Sequence, residues 1–144
     1  MHQSILFLCT GNYYRSRFAE AVFNHHAEQR GLDWRAFSRG LYIDAVPFGD
    51  ISAHTRNALF SRRIDLHHTG PKRVQLSSDD LEKAQRVIAL DEDEHHPMVR
   101  EQFPAWLGRI TFWNVGDLPL LEPQEALALI ESNVLALLDT LEEK

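Results

Sequence analysis

The chain has 144 residues, 44% of them hydrophobic, which allows one sizeable core without disulfides or metals, and a single domain spanning 1–144 is expected. A formal net charge of −6 excludes the basic footprint that nucleic acid or an anionic membrane surface demands. The single cysteine excludes an intramolecular disulfide, so its thiol is either a small buried hydrophobe or a reactive group.

Residues 1–8 carry neither the cationic start nor the long apolar stretch of a secretory signal, and no later run is long enough to span a bilayer, so a cytoplasmic protein is expected. Ile5-Leu6-Phe7-Leu8 is a short apolar run that stops at Cys9-Thr10-Gly11-Asn12, which predicts a buried strand entering a tight loop. A helix follows, with Phe18, Ala21, Val22 and His25 at helical spacing and Gly31 as its stop. Arg35–Ser38 predicts a second strand, and the stretch from Gly40 to Gly49, with Pro47 inside it, a loop. Asp50 or Ser52 caps the next helix, which runs through Ala58, Leu59 and Phe60 to the Ser61–Arg63 region, followed by a short segment around Ile64 and a His-Thr-Gly-Pro loop at 68–71. Ser77-Ser78-Asp79-Asp80 reads as a capping box opening a short helix. Arg86–Leu90 is a buried strand ending at Asp91, and Ile110–Trp113 is the last strand. From Pro123, residues Ala126, Leu127, Ile130, Val134, Leu137, Leu138 and Leu141 trace the apolar stripe of a terminal amphipathic helix. Strands alternating with helices indicate an α/β fold with a parallel sheet covered on both faces, and such sheets bind ligands at the carboxyl ends of their strands. Cys9, Ser38, Asp91 and Asp117 all fall at or just beyond strand ends and are expected along that edge.

Five residues separate Cys9 from Arg15, and Ser16 follows where a helix begins. A loop of this size over a helix amino terminus aims several backbone N–H groups at one point, with Gly11 permitting a turn that a side chain would hinder. Arg15 adds a planar fork for two phosphate oxygens. Such surroundings favour a Cys9 thiolate, and Ser16 can donate a hydrogen bond to the sulfur when it leaves.

The segment Cys9-Thr10-Gly11-Asn12-Tyr13-Tyr14-Arg15-Ser16, directly after an amino-terminal apolar strand, resembles the signature loop of low-molecular-weight tyrosine phosphatases. The resemblance implies a three-layer α/β fold, a four-stranded parallel sheet flanked by helices on both faces. It implies phosphomonoester hydrolysis, with phosphotyrosine as substrate, through a phosphocysteine on Cys9, and it calls for no metal or cofactor. Arg15 and the loop residues Thr10 to Ser16 would bind the phosphate. Asn12 and Ser38 resemble a polar pair that supports the loop, with a histidine joining them, for which His68 is the better candidate. The family's general acid is an aspartate in a late loop, and Asn114-Val115-Gly116-Asp117-Leu118-Pro119 makes Asp117 the candidate, with Asp91 as the fallback. The residue after Asp117 is leucine, with proline one place later, and no tyrosine follows where many relatives carry an aromatic wall.

Tyr13, Tyr14 and Arg17 also depart from the family's usual residues. Without a neighbouring thiol, oxidation should carry Cys9 to the sulfenic acid and onward. Tyr13 and Tyr42 are candidates for an aromatic rim. The expected partners are a phosphotyrosyl protein or small phosphomonoester and phosphate-like oxyanions, not nucleic acid or membrane. Asp91-Glu92-Asp93-Glu94-His95-His96, His25-His26 and His67-His68 have metal-friendly chemistry, but adjacent residues rarely converge on one ion, and a solvated acidic helix start is expected instead. Two other functions stay open: an arsenate reductase drawing on an external thiol partner, and a phosphoryl-binding module with little turnover.

Overall fold

The computed structural model describes residues 2–47, 49–118 and 120–142. Strand β1 (Gln3–Cys9) lies at the centre, because Ile5 to Leu8 are apolar on both faces and all four are fully buried. It pairs in parallel with β2 (Trp34–Gly40) on one side and β3 (Arg86–Ala89) on the other, and β4 (Thr111–Phe112) completes a four-stranded parallel sheet in the order β2-β1-β3-β4.

Two apolar clusters sandwich the sheet. On one face α1 (Arg15–Gln29) and α5 (Pro123–Glu142) pack Phe18, Val22, Phe23, Ile130, Val134 and Leu138 against Ile5 and Phe7. On the other, Leu6, Leu8 and Val87 meet Leu81 of α3 (Ser78–Lys83) and Val99 of α4 (Glu92–Gln102). Helix α2 (Ala53–Ser61) starts at Ser52, whose hydroxyl accepts the N–H of His54 at 3.1 Å, so Ser52 rather than Asp50 is the cap. Ser77 and Asp80 form the expected capping box.

Chain direction matters more than helix count. From β1 the chain crosses to β2 on one side and reaches β3 on the other, so the carboxyl end of β1 opens into the crevice where an open α/β sheet reverses its strand order. Two details differ from the sequence reading. Ser38 does not end its strand: it lies level with Phe7, and β2 runs two residues further so that Gly40 pairs with Cys9. The last strand shrinks to Thr111–Phe112, since Ile110 still belongs to the exit of the 3-10 segment Pro104–Arg109. Among the described residues no helix is long and apolar enough to cross a membrane.

Candidate active site

The loop from Cys9 to Arg15 joins the end of β1 to the first turn of α1, and its backbone is fixed by one left-handed residue and two close approaches. Asn12, not Gly11, takes the positive φ, at 52°, a conformation that asparagine tolerates because its short polar side chain bonds locally. Gly11 is needed for space instead: a Cβ there would stand 2.5 Å from Val46 Cγ2. A Cβ on Gly40 would stand 2.8 Å from the carbonyl oxygen of Thr10, so the end of β2 presses directly on the loop. The start of α2 grips it from outside. Ser52 N–H donates to the Tyr13 carbonyl at 2.8 Å, and the Thr55 hydroxyl donates to the Tyr14 carbonyl at 2.8 Å.

A chain of buried polar side chains runs inward from Cys9. Its Sγ lies 2.9 Å from Ser16 Oγ. Asn12 Nδ2 donates to Ser16 Oγ and to Ser38 Oγ, both at 2.9 Å, while Asn12 Oδ1 accepts the Val74 N–H at 2.9 Å. Ser38 donates to Glu20 Oε1 at 2.6 Å, and Thr69 donates to the same oxygen at 2.7 Å. Arg17 Nε then donates to the Thr69 hydroxyl at 2.7 Å, and the rest of its guanidinium reaches the carbonyls of Asp50 and Gly70. The group joining Ser38 is therefore Glu20, not His68: the His68 ring lies against His25 and His67, and only its carbonyl is used nearby, by Asn24. Burial pushes the Glu20 carboxyl up, against the hydrogen bonds of Ser38 and Thr69 and the charge of Arg17. Burial likewise lowers Arg17 despite Glu20 and Asp50.

On the opposite side of the loop, Arg15 is 2% exposed and anchored at both tips of its fork. Nη1 donates to the Val115 carbonyl at 2.8 Å, and Nη2 donates to Glu94 Oε2 at 2.7 Å and lies 3.6 Å from Asp117 Oδ2. Burial works against the guanidinium charge, but Cys9, Glu94 and Asp117 outweigh it and hold Arg15 protonated. Glu94 also accepts from the Thr10 hydroxyl, with His95 Nε2 at 3.2 Å. His95 is fully buried, and its Nδ1 accepts the Asp91 N–H at 3.1 Å, which leaves the hydrogen on Nε2, aimed at Thr10 and Glu94. The acidic start of α4 is thus only partly a solvated face: Glu92 and Asp93 are exposed, as expected, whereas Glu94 and His95 turn inward and hold the loop. Their i, i+1 placement after a buried strand hides this in the sequence, where the run reads as uniformly charged.

Cys9, Gly11, Tyr13, Tyr14, Arg15 and Asp117 line one pocket of about 360 Å³, walled further by Val46, His54 and Leu118. Tyr14 meets His54 edge-on, with centroids 6.2 Å apart. Its hydroxyl is buried with no hydrogen-bond partner among the described residues, and burial, followed by the charge of Asp117, pushes it up to about 12. Asp117 is half exposed, and its Oδ1 accepts the Leu118 N–H at 2.8 Å. Pro119 lies outside the described residues. Thr10, Asn12, Ser16 and Ser38 do not line the pocket, their side chains being committed to the bonds above. Asp91 is absent from the lining as well: it caps α4 through its carbonyl, and burial, then Glu94, raises its carboxyl. Tyr42 stands 39% exposed outside the lining, whereas Tyr13 forms part of the wall.

A family profile described as low molecular weight phosphotyrosine protein phosphatase matches residues 4–115. The protein-arginine-phosphatase of Bacillus subtilis is 34% identical over 106 residues, which span 74% of this chain and 67% of that relative. The low molecular weight protein-tyrosine-phosphatase YfkJ of the same bacterium is 32% identical over 88 residues, 61% of this chain and 56% of the relative. The crystal structure of YfkJ superposes with a TM-score of 0.84 at 24% identity, over 99% of this chain and 96% of that one, a likeness of fold.

Proposed function

Because this chain belongs to the low molecular weight phosphotyrosine protein phosphatase family, a family of cysteine-dependent phosphohydrolases, we propose that it hydrolyses phosphotyrosine through a phosphocysteine formed on Cys9. The observation that carries this reading is the convergence of the Cys9 thiol, the Arg15 guanidinium and the Asp117 carboxyl in one pocket. In the first step the Cys9 thiolate attacks phosphorus, the S–P bond forms and the P–O bond to the tyrosyl oxygen breaks. Asp117, as the protonated acid, delivers its proton to that oxygen. In the second step water attacks phosphorus, Asp117 takes its proton, and the S–P bond breaks to return the thiolate, which Ser16 stabilises. Arg15 and the orphan N–H groups of the first turn of α1 hold the phosphoryl oxygens throughout.

Two features support the phenyl ester as substrate. The walls of the slot are Tyr13, Tyr14, His54, Val46 and Leu118, aromatic and apolar surfaces that suit a ring. Asp117 is its only carboxylate among the described lining residues, which leaves nothing besides the acid to pair with a guanidinium. A second reading, phosphoarginine hydrolysis, is favoured by the name of the 34% identical relative. Both predict turnover of para-nitrophenyl phosphate, abolished in Cys9→Ser and strongly reduced in Asp117→Ala, and a parallel assay on phosphotyrosyl and phosphoarginyl peptides separates them. Unchanged turnover in Cys9→Ser would remove the nucleophile assignment and both readings with it.

A further inference from the structure

Where α1 nears its end, away from the phosphate pocket, the fold gathers imidazoles and carboxylates from two elements. His25 and Glu28 lie three residues apart on α1 and share a face of the helix. The 3-10 turn Leu66–His68 packs beside them, tied down by the bond from Asn24 Nδ2 to the His68 carbonyl at 2.9 Å. Glu28, His67 and His68 each present a ligand atom, and these atoms all lie within 4.8 Å of one another. The His25 and His68 rings meet edge-on with centroids 5.5 Å apart. We infer that Glu28, His67 and His68 form a binding site for a zinc ion that is separate from the phosphate pocket.

The donor set matches the metal. Neutral imidazole nitrogens and one carboxylate are the ligands of tetrahedral zinc, whose ligand atoms stand roughly 3.3 Å apart at bond lengths near 2.0 Å. Closing from the observed spacing requires a rotamer turn of the exposed Glu28, and a small shift of the exposed His67 ring that keeps its Asp65 contact, toward the buried His68. A supporting carboxylate is in place too. Asp65 Oδ1 lies 2.9 Å from His67 Nδ1 and also accepts the His67 N–H at 2.8 Å. That arrangement keeps the hydrogen of His67 on Nδ1 and leaves Nε2 free to coordinate, as outer carboxylates do for metal-bound histidines. Directly after the turn come Thr69 and Gly70, which hold Glu20 and Arg17. An ion here therefore pins the turn that steadies the buried polar chain behind the loop.

Calorimetric titration of zinc chloride into the Cys9→Ser protein tests this, the substitution removing the thiolate as a competing ligand. One ion per chain is expected, with affinity weakened at least about tenfold in Glu28→Gln and in His67→Gln, and reduced in Asp65→Asn. Zinc should raise the melting temperature of the Cys9→Ser protein but not of a Cys9→Ser protein also carrying Glu28→Gln and His67→Gln. Melting in the presence of EDTA confirms that the variants fold. Absence of saturable zinc binding, or the same stoichiometry and affinity in the Glu28→Gln and His67→Gln variants, overturns the site.

Discussion

Replacing Glu94 by glutamine tests whether Arg15 is held in its binding posture by a largely buried ion pair. Glu94 Oε2 takes hydrogen bonds from Arg15 and Thr10 and faces His95, so an amide of the same shape would offer these donors one neutral oxygen. Hydrogen bonds to a charged group contribute about 1.5–3 kcal/mol, against about 1 kcal/mol for neutral pairs. Breaking a fully buried pair costs about 3–5 kcal/mol. Arg15 is 2% exposed, but the Glu94 side chain keeps 22% of its surface in water, which screens part of that. The expected loss is about 2 kcal/mol, equivalent to a melting temperature lower by roughly 4–8 °C.

The pH dependence supplies a second, sharper readout of the same substitution. Burial pushes the Glu94 carboxyl up, but hydrogen bonds from His95 and Arg15 and the Arg15 charge outweigh it and hold it far below its ordinary 4.5. The folded chain therefore binds this proton less readily than the unfolded chain. The contribution is complete above 4.5 and is lost as pH falls, on the order of 2 kcal/mol by about pH 3. Urea denaturation at about pH 7, 5 and 3 should show a gap between the two proteins that is constant at the first two values and nearly closed at the third. Equal stability at pH 7, or a gap undiminished at pH 3, would refute the ion-pair account. At neutral pH kcat/KM for para-nitrophenyl phosphate should fall roughly 10- to 100-fold as Arg15 loses its orientation.

Tyr14→Phe removes a buried hydroxyl that has no partner among the described residues, so thermal melting should show a gain of about 1 kcal/mol. Because burial raises the phenol from 10.0 to about 12 in the folded chain, the unfolded chain ionises first, so the unsubstituted protein loses stability as pH rises from 10 toward 12 and the variant should resist alkaline unfolding better in that window. Asn12→Ala forfeits three hydrogen bonds and places alanine at a φ of 52°, for an expected loss of about 3–4 kcal/mol by chemical denaturation. Asn12→Gly, which recovers only the backbone share, should lose about 1–2 kcal/mol less. Arg17→Met removes the nearest cation from Glu20, whose carboxyl burial already pushes up, so the variant should be destabilised most at neutral pH and progressively less as Glu20 takes up its proton on acidification, read from urea midpoints across pH.

The sheet and its order of elements were legible because each strand before a functional loop is a short apolar run: Ile5–Leu8 and Arg86–Leu90 carry the pattern of strands buried on both faces. The loop was legible because its spacing and its position between strand and helix are local. The missing parts are those whose signal is non-local. Glu94 and His95 sit among six consecutive polar residues, and only the packing of α4 against Thr10 distinguishes them from their neighbours. Glu20 lies within the apolar-spaced face of α1, where a carboxylate reads as an interruption; its meaning depends on Ser38, Thr69 and Arg17 converging from three elements. His67 and His68 looked isolated as a pair because the ligand that completes them, Glu28, is 39 residues earlier and faces them only once the 3-10 turn docks on α1.

These non-local residues explain how a loop with one strained residue holds its shape at the open end of a sheet. Backbone N–H groups that converge on an anion repel one another until the anion arrives, so the loop must be fixed by bonds that do not use them. The polar side chains at alternate loop positions meet this requirement. Asn12 and Ser16 turn toward β2 and the Glu20 network, Thr10 turns toward α4 and Glu94, and the Tyr13 and Tyr14 carbonyls are taken by α2. The loop is thus held from both sides of β1 by elements following β1 and β3, an arrangement that the β2-β1-β3 order makes available at this one crevice. Disturbing an anchor on either side should then act on turnover through the same loop, so Asn12→Gly and Glu94→Gln combined should lower kcat/KM by a factor different from the product of their separate effects. Multiplicative effects would mean that the two anchors act on independent parts of the site.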